Sequence, residues 1–499
     1  MSRPPNILHL FADQQRFDTI SALGNPFIKT PALDRLAREG TSFVNAFTPS
    51  PVCVPARAAM HYGKYPWHTG CYDNGDPWPT AETPNIPSLL GGAGYRTHAI
   101  GKCHFHPDLW ALLGFQSREP MEELVDDPER DDYLKFLRSH GYGHVQDLHG
   151  MRGDFYYLPQ PGQLPEEAHP TGWAGRRAME FMESAATRAQ PWYLYCSFIH
   201  PHPPWVLPPK WAKLYRSNDM MPPFLPDNCD ELLTFVNHFQ NRYKWRDRGF
   251  DLNLLRAQRA FYHGCISFID FQIGRLLALL DQSGQADETL VVFSSDHGEY
   301  LGDYGCYGKR GMHDVSCRIP LLARWPGDLG AGVRCQTPAS LVDLMPTFAD
   351  AAGVDCDSDG MSLRHLVEAG DQKRVVFSQY QKEGDALYMA ADAEAKYIYS
   401  ASDDKEFFFL RTTAGQEVRS TLNDPTGAAH AGSLRASLMA EIQAVEQDRG
   451  LDGCSWRKYP PRPLPSDPDD GLLFQDQPFA EQGIPGYQDS AIIRSDAKP

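Results

Sequence analysis

The chain has 499 residues, of which 42% are hydrophobic and 22% charged, and its formal net charge is -17. Such a composition fits an ordinary soluble globular protein, long enough for a large core and a second, smaller domain. The acidic balance disfavours nucleic acid and anionic membrane as partners, so an anionic ligand must be small and held in a local positive pocket.

In chain order, Ile7 to Ala12 reads as a buried strand that ends in Asp13 and Gln14. The residues before it are too few, and Asp13 comes too soon, for a secretory leader. Thr30 to Gly40 reads as a helix, with Thr30 as N-cap, Pro31 in the first turn and a terminal glycine. Cys53-Val54-Pro55-Ala56-Arg57 then places a thiol and an arginine four residues apart at the mouth of a second helix, which Gly63 stops. A helix N-terminus offers free N–H groups to an anion, although a small residue filling a loop-to-helix corner would look the same.

Four later junctions complete the pattern. Thr97 to Ile100 is a short strand that empties into Gly101-Lys102-Cys103-His104. The longest apolar run, Trp192 to Ile199, falls short of the roughly 20 residues that span a bilayer and reads as a strand emptying into His200-Pro201-His202-Pro203-Pro204. Leu254 to Leu280 has helical periodicity, broken locally at Gly264, and Thr289 to Ser295 is a strand that ends in Asp296-His297-Gly298-Glu299. Arg318 to Trp325 closes the core region. After about residue 370 the runs shorten and alternate, as in Ala395 to Ser400 and Glu406 to Leu410, which suits an antiparallel hairpin. A last helix is expected from Gly432 to Gln447, followed by a Pro-rich, extended tail beyond Cys454 that could wrap a neighbouring subunit.

Strands alternating with helices predict an α/β fold: a large, mostly parallel mixed sheet sandwiched by helices, with a smaller C-terminal α+β domain containing an antiparallel sheet. The expected division is 1–370 for the catalytic domain, 371–455 for the small domain and 456–499 for the tail. The eleven cysteines are scattered with no Cys-x-x-Cys pair, which predicts a reduced, cytoplasmic protein without a structural zinc site.

Open α/β sheets bind ligands outside the carboxyl ends of their strands, so Asp13, Gln14, Lys102, His104, His202, Asp296 and His297 are expected in one site, with the Cys53 helix nearby. Asp13 and Asp296, with the side-chain oxygen of Gln14 and a nitrogen of His297, make a divalent-cation site, unless each merely caps the loop it begins. Lys309 and Arg310 add cationic character, or else form a solvated basic loop. A metal with converging lysines and histidines suits transfer of a compact oxyanionic group. An unmodified thiol is an odd companion for hard oxygen ligands.

These residues resemble the type I sulfatases of the alkaline-phosphatase-like superfamily, closest in motif to the choline sulfatase and phosphonate monoester hydrolase branch. Cys53 to Arg57 match the Cys-x-Pro-x-Arg motif whose cysteine an activating enzyme oxidises to formylglycine, with Ala56 at a position that is commonly Ser. Gly101 to His104, Pro201 to Pro204 and Ser295 to Glu299 match further motifs, and Lys309 falls on the second lysine, ten residues before Ile319. The resemblance spans roughly residues 5 to 350, with a weaker echo in 396–425.

It implies hydrolysis of sulfate esters to alcohol and sulfate, as in an arylsulfatase-like hydrolase acting on sulfuric ester bonds. The implied nucleophile is a metal-bound formylglycine hydrate derived from Cys53. Asp13, Gln14, Asp296, His297 and residue 53 would hold the metal, and Arg57 would steady the formylglycine. Lys102, His202 and Lys309 would bind the sulfate, with His202 and Lys309 helping to protonate the leaving oxygen. His104 would take a proton as sulfate is released, and Asn74 matches a position that contacts the anion, although Asn74-Gly75 is also a turn signal. Gln14 and His297, where many members carry Asp and Asn, reduce the negative charge and make Mn2+ as suitable as Ca2+.

The implied partners are a small sulfate ester and the formylglycine-generating enzyme, with a homo-oligomer, dimer or tetramer, expected. A phosphonate monoester or phosphodiester hydrolase with the same nucleophile is the alternative, and an anion-binding protein with intact Cys53 is a third. Aromatic and proline-rich loops at 67–78, 106–114 and 205–228 are expected near the substrate.

Overall fold

The structure, a computed structural model, describes residues 3–80, 82–152, 155–186, 189–244, 251–411, 416–445 and 449–466. Its core begins with Asn6–Asp13 (β1), buried along its whole length. Ile7 and Phe11 enter one apolar layer, and Leu8, Leu10 and Ala12 enter another. This is the period-two signature of a strand covered on both faces.

The other strands of the main sheet are Thr41–Phe43 (β2), Arg96–Gly101 (β3), Ser117–Pro120 (β4), Trp192–Pro201 (β5), Thr289–Ser295 (β6), Leu321–Arg324 (β7) and Val333–Cys335 (β8). They form an eight-stranded sheet in the order β8-β2-β7-β6-β1-β5-β3-β4. Every neighbouring pair is parallel except the two made by β7. The sheet is therefore mixed and mostly parallel, as the strand and helix alternation predicts.

On the Leu8 face lie Pro31–Glu39 (α1), Pro170–Ala186 (α3, with Trp173 and Phe181) and Leu252–Gln282 (α4, with Ile269, Ile273 and Leu276). On the Ile7 face lie Cys53–Tyr62 (α2) and Leu344–Ala352 (α5). Two sequence expectations change here. Thr30 does not cap α1, because its hydroxyl turns to Asp34. The N–H groups of Ala32 and Leu33 instead donate to Asp270 of α4, at 3.1 and 2.8 Å. Nor does Gly264 break α4, which is one 31-residue helix. Glycine is needed there because a Cβ would sit 2.6 Å from Leu207 and 2.9 Å from the Trp211 carbonyl.

By length and composition alone α4 is long and apolar enough to cross a membrane, although it contains no continuous apolar run of that length. It serves as the central helix of this core, packed against α1, α3 and β5. A 31-residue helix with one apolar stripe and a partly polar opposite face reaches that length without a continuous apolar run.

The second sheet, Val376–Tyr380 (β9), Leu387–Ala391 (β10), Ala395–Ser400 (β11) and Lys405–Leu410 (β12), is antiparallel throughout. Alternation along β11 sends Tyr397 and Tyr399 under Pro425–Gln443 (α6), and Ile398 towards Phe47, Tyr300 and Tyr304. Helix α6 starts at Pro425, seven residues before Gly432, because Asp424 and Pro425 supply its N-terminus. The expected end at Gln447 lies outside the described residues. Trp456, expected in the tail, is buried and stacks on Tyr399 with ring centroids 4.2 Å apart. The tail beyond Ser466 is also outside the described residues.

Candidate active site

The sheet register brings the site together. At the carboxyl edge Ala12 pairs with Ser295, Asp13 with Pro201, and Gly101 with Ser197. Asp13, Asp296, Lys102 and His202 therefore leave their strands side by side, and all four are buried. A register shift between Ala12 and Asp13, followed by positive φ at Gln14 (67°), turns the chain across this edge.

Helix α2 aims its first residue at the same point. Its cap residue, Val52, is extended and has no side-chain hydrogen bond. The free Val54 N–H instead donates to Asn74 Oδ1 at 3.0 Å, so Asn74 acts as a remote cap for the helix that carries Cys53. Gly63 ends α2 in the left-handed conformation, φ 63°.

Arg57, one turn after Cys53, is fully buried. Its guanidinium donates to Asp13 and Asp296 at 3.0 Å each, to the Lys102 carbonyl at 2.9 Å, to Ser197 at 3.0 Å and to Tyr195 at 3.2 Å. Arg57 thus holds the two carboxylates as much as it steadies residue 53.

Ligand atoms of Asp13, Cys53, Asp296 and His297 lie within 4.8 Å of one another. His297 Nδ1 donates to the Gly298 carbonyl at 3.1 Å, which turns the Nε2 lone pair towards Cys53 Sγ, 3.3 Å away. Burial holds His297 neutral, well below its ordinary range, with Lys309 adding to the effect. Burial raises Asp13, but Lys102, His202 and Arg57 outweigh it and hold that carboxylate low. Asp296 is pushed up by burial and by Asp13 beside it. Two crowded carboxylates and an oriented neutral imidazole are a donor set that fits a divalent cation. Burial and Asp13 also push the Cys53 thiol up to about 11.

Lys309 Nζ is 2.8 Å from Cys53 Sγ and 2.9 Å from Gln14 Oε1, while Gln14 Nε2 donates to Glu299. Lys309 and Arg310 are both buried, so this is not a solvated basic loop. Lys102 Nζ bridges Asp13, at 2.8 Å, and Glu123, at 2.6 Å. Burial opposes its charge, but those two carboxylates hold the lysine well above its ordinary range. His104 anchors through its backbone N–H to Glu122, 3.1 Å to the nearer oxygen, and its ring Nδ1 is buried without a partner among the described residues. All the expected site residues converge on this edge.

Sequence reasoning missed Tyr195 and Ser197, which brace Arg57, and the Glu122-Glu123 pair. The same strand-end rule would locate both glutamates, just past β4, had Ser117–Pro120 been recognised as a strand. Of the expected specificity loops, Trp67 and Trp78 pack in the core, against Phe377 and Phe105 respectively, and offer no surface for stacking on a ligand.

The sequence model of the sulfatase family matches residues 5–354. A second model, of the C-terminal part of N-sulphoglucosamine sulphohydrolase, matches residues 302–443. The chain is 29% identical over 474 residues to an arylsulfatase of Clostridium perfringens, covering 89% of this chain and 95% of that protein. It is 29% identical over 462 residues to a choline-sulfatase of Rhizobium meliloti, covering 87% and 85%. The crystal structure of a phosphonate monoester hydrolase of Agrobacterium radiobacter superposes with a TM-score of 0.76 at 26% identity, covering 89% and 97%. With the family model matched over most of the chain and the motif residues gathered at one sheet edge, the protein belongs to the sulfatase family.

Proposed function

We propose that this sulfatase hydrolyses the ester bond of small sulfate monoesters through residue 53, oxidised from cysteine to formylglycine by a maturation enzyme. The observation that carries this reading is the position of Cys53 Sγ, which marks where the nucleophilic oxygen would stand. It is the first residue of α2, 2.8 Å from Lys309 and 3.3 Å from His297, beside Asp13 and Asp296.

Asp13, Asp296 and His297, with residue 53 and the Gln14 oxygen, would hold one divalent cation, Ca2+ or Mn2+. When bound it supplies Lewis acidity and lowers the pKa of a hydroxyl on residue 53. Lys102 and Lys309 neutralise the ester oxygens as negative charge develops on them. Arg57 fixes both carboxylates. Asn74 and the α2 N-terminus bound the anion pocket. His202 protonates the departing oxygen, and His104 takes up a proton as sulfate leaves.

Chelation tests the metal: treatment with EDTA is expected to abolish turnover and lower the melting temperature, with both restored by the native ion. At about 100-fold saturation a bound ion contributes about 2.7 kcal/mol of stability. Unchanged activity and stability after exhaustive chelation would sink the metal assignment.

The likeness to the Agrobacterium phosphonate monoester hydrolase supports a second reading, hydrolysis of phosphonate monoesters or phosphodiesters by the same machinery. Matched phenyl sulfate and phenyl phosphonate monoesters separate the two. The first reading expects the larger kcat/KM on the sulfate, and a ratio of about 100 or more in favour of the phosphonate, roughly 2.7 kcal/mol of transition-state binding, would reverse it. A reducing, cytoplasmic setting and assembly into a dimer or tetramer belong to the same proposal. The eleven cysteines, all unpaired in the structure, support the first of these.

A further inference from the structure

Glu123 is a buried carboxylate at the site that neither belongs to the cation donor set nor touches residue 53. It follows β4, its side chain is 5% exposed, and three nitrogen groups converge on it. Lys102 Nζ is 2.6 Å away, His202 Nδ1 is 3.4 Å away, and Arg152 pairs with it from the loop above.

The consequence for His202 follows from its ring nitrogens. Nδ1 faces two acceptors, the Pro203 carbonyl at 2.6 Å and the Glu123 carboxylate, so Nδ1 must carry a hydrogen. Nε2 is buried and has no partner among the described residues. A ring fixed in this way can donate from Nε2 only as the imidazolium, and an anion behind Nδ1 stabilises that form, as in carboxylate–imidazole pairs generally. The charges around the ring are mixed. Burial is the largest influence and, with Lys309 and Lys102, holds the resting ring neutral, well below its ordinary range, while Glu123 and Asp13 oppose it. The ring of Tyr156 packs edge-on at 6.1 Å.

We propose that Glu123 is the positioning residue for leaving-group protonation: it orients His202 with Nε2 free to donate, stabilises the imidazolium that must form for that donation, and aligns Lys102 on the same anion. This rests on ester hydrolysis as read above. As the bond from the central atom to the nucleophile forms, the bond to the leaving oxygen breaks. Its electron pair stays on that oxygen, which takes the Nε2 proton and departs as the alcohol. His202 is left neutral, with Nδ1–H still on Pro203 and Glu123.

The test compares an alkyl ester, whose alkoxide needs that proton, with a nitrophenyl ester, which leaves without it. Glu123→Gln is expected to lower kcat on the alkyl ester by about 100-fold and on the nitrophenyl ester by less than about 5-fold, within the usual range for general acid catalysis. Arg152→Met, which removes a Glu123 partner that does not touch His202, should leave the ratio between the two esters unchanged. Equal losses on both esters, or no loss on the alkyl ester, would overturn the role. The same pair of leaving groups on a phosphonate reads Glu123 even if the sulfate reading fails.

A readout free of turnover uses 15N-histidine NMR of the Cys53→Ala protein. His202 is expected as the neutral Nδ1–H tautomer near neutral pH, and Glu123→Gln is expected to lower further the pH at which it becomes imidazolium. An Nε2–H tautomer with Glu123 intact overturns the proposal whether or not the Gln variant folds.

Discussion

Cys53→Ala is expected to lower kcat by on the order of 10⁴-fold or more, as loss of a covalent nucleophile does. The fold should survive. Cys53 is fully buried but small, its backbone starts α2, and the helix is held by the Asn74 cap and the Arg57 network, which the substitution leaves in place. Deleting one sulfur beside Lys309 and His297 should shift the melting temperature by no more than about 3 °C in a chain of this size. Mass analysis of the peptide containing residue 53 supplies the chemical half of the result: an aldehyde in place of the thiol in active protein. Active protein with an intact thiol, or full activity in the alanine variant, would remove residue 53 from the mechanism.

The largest stability effect is expected outside the site residues themselves, at Lys396 of β11. This lysine is buried between Asp314, 2.7 Å away, and Glu417, and it ties the antiparallel sheet to the loop that follows the active-site lysine. Lys396→Met removes the cation but leaves two buried carboxylates, and breaking a buried pair in this way costs about 3–5 kcal/mol.

The pH dependence has a definite sign. Burial raises Asp314, but Lys396, Arg411 and Arg318 outweigh it and hold the folded-state pKa below the ordinary 3.8. The stability this contributes is complete above that ordinary value and is lost as pH falls through the lower folded-state value. Without Lys396 the folded-state pKa rises, so the variant takes up protons sooner on acidification. The stability gap between wild type and variant should therefore be widest near neutral pH and narrow towards pH 4. Denaturant melts at the two pH values measure it, and a gap that is small or independent of pH would show that Lys396 is not the compensating charge.

Much of the site was legible because its chemistry is local in sequence. A parallel strand buried on both faces must be a continuous apolar run, so β1, β5 and β6 announce themselves, and a polar residue at the end of such a run stands at the edge where ligands bind. Asp13, His202, Asp296 and His297 all follow from that rule, and the Cys53 to Arg57 spacing follows from one helical turn. β4 escaped because Ser117–Pro120 is short, polar and only half-buried, lying at the sheet edge with one neighbour. Glu123, which follows it, escaped for the same reason. The break expected at Gly264 and the cap expected from Thr30 failed because propensity sees only neighbours in sequence, whereas Leu207, Trp211 and Asp270 act from elsewhere in the chain.

The sequence by itself determined the long buried strands β1, β5 and β6, the helix that presents residue 53 and the charged groups that follow those strands. Only the tertiary structure decided how those charges are shared: that Arg57 spans both carboxylates, that Asn74 caps α2, that Lys102 divides itself between Asp13 and Glu123, and that Trp67 and Trp78 are core. Strand identity is fixed by burial patterns a few residues long. Charge partners are fixed by register and by loop closure across hundreds of residues, which no local pattern encodes.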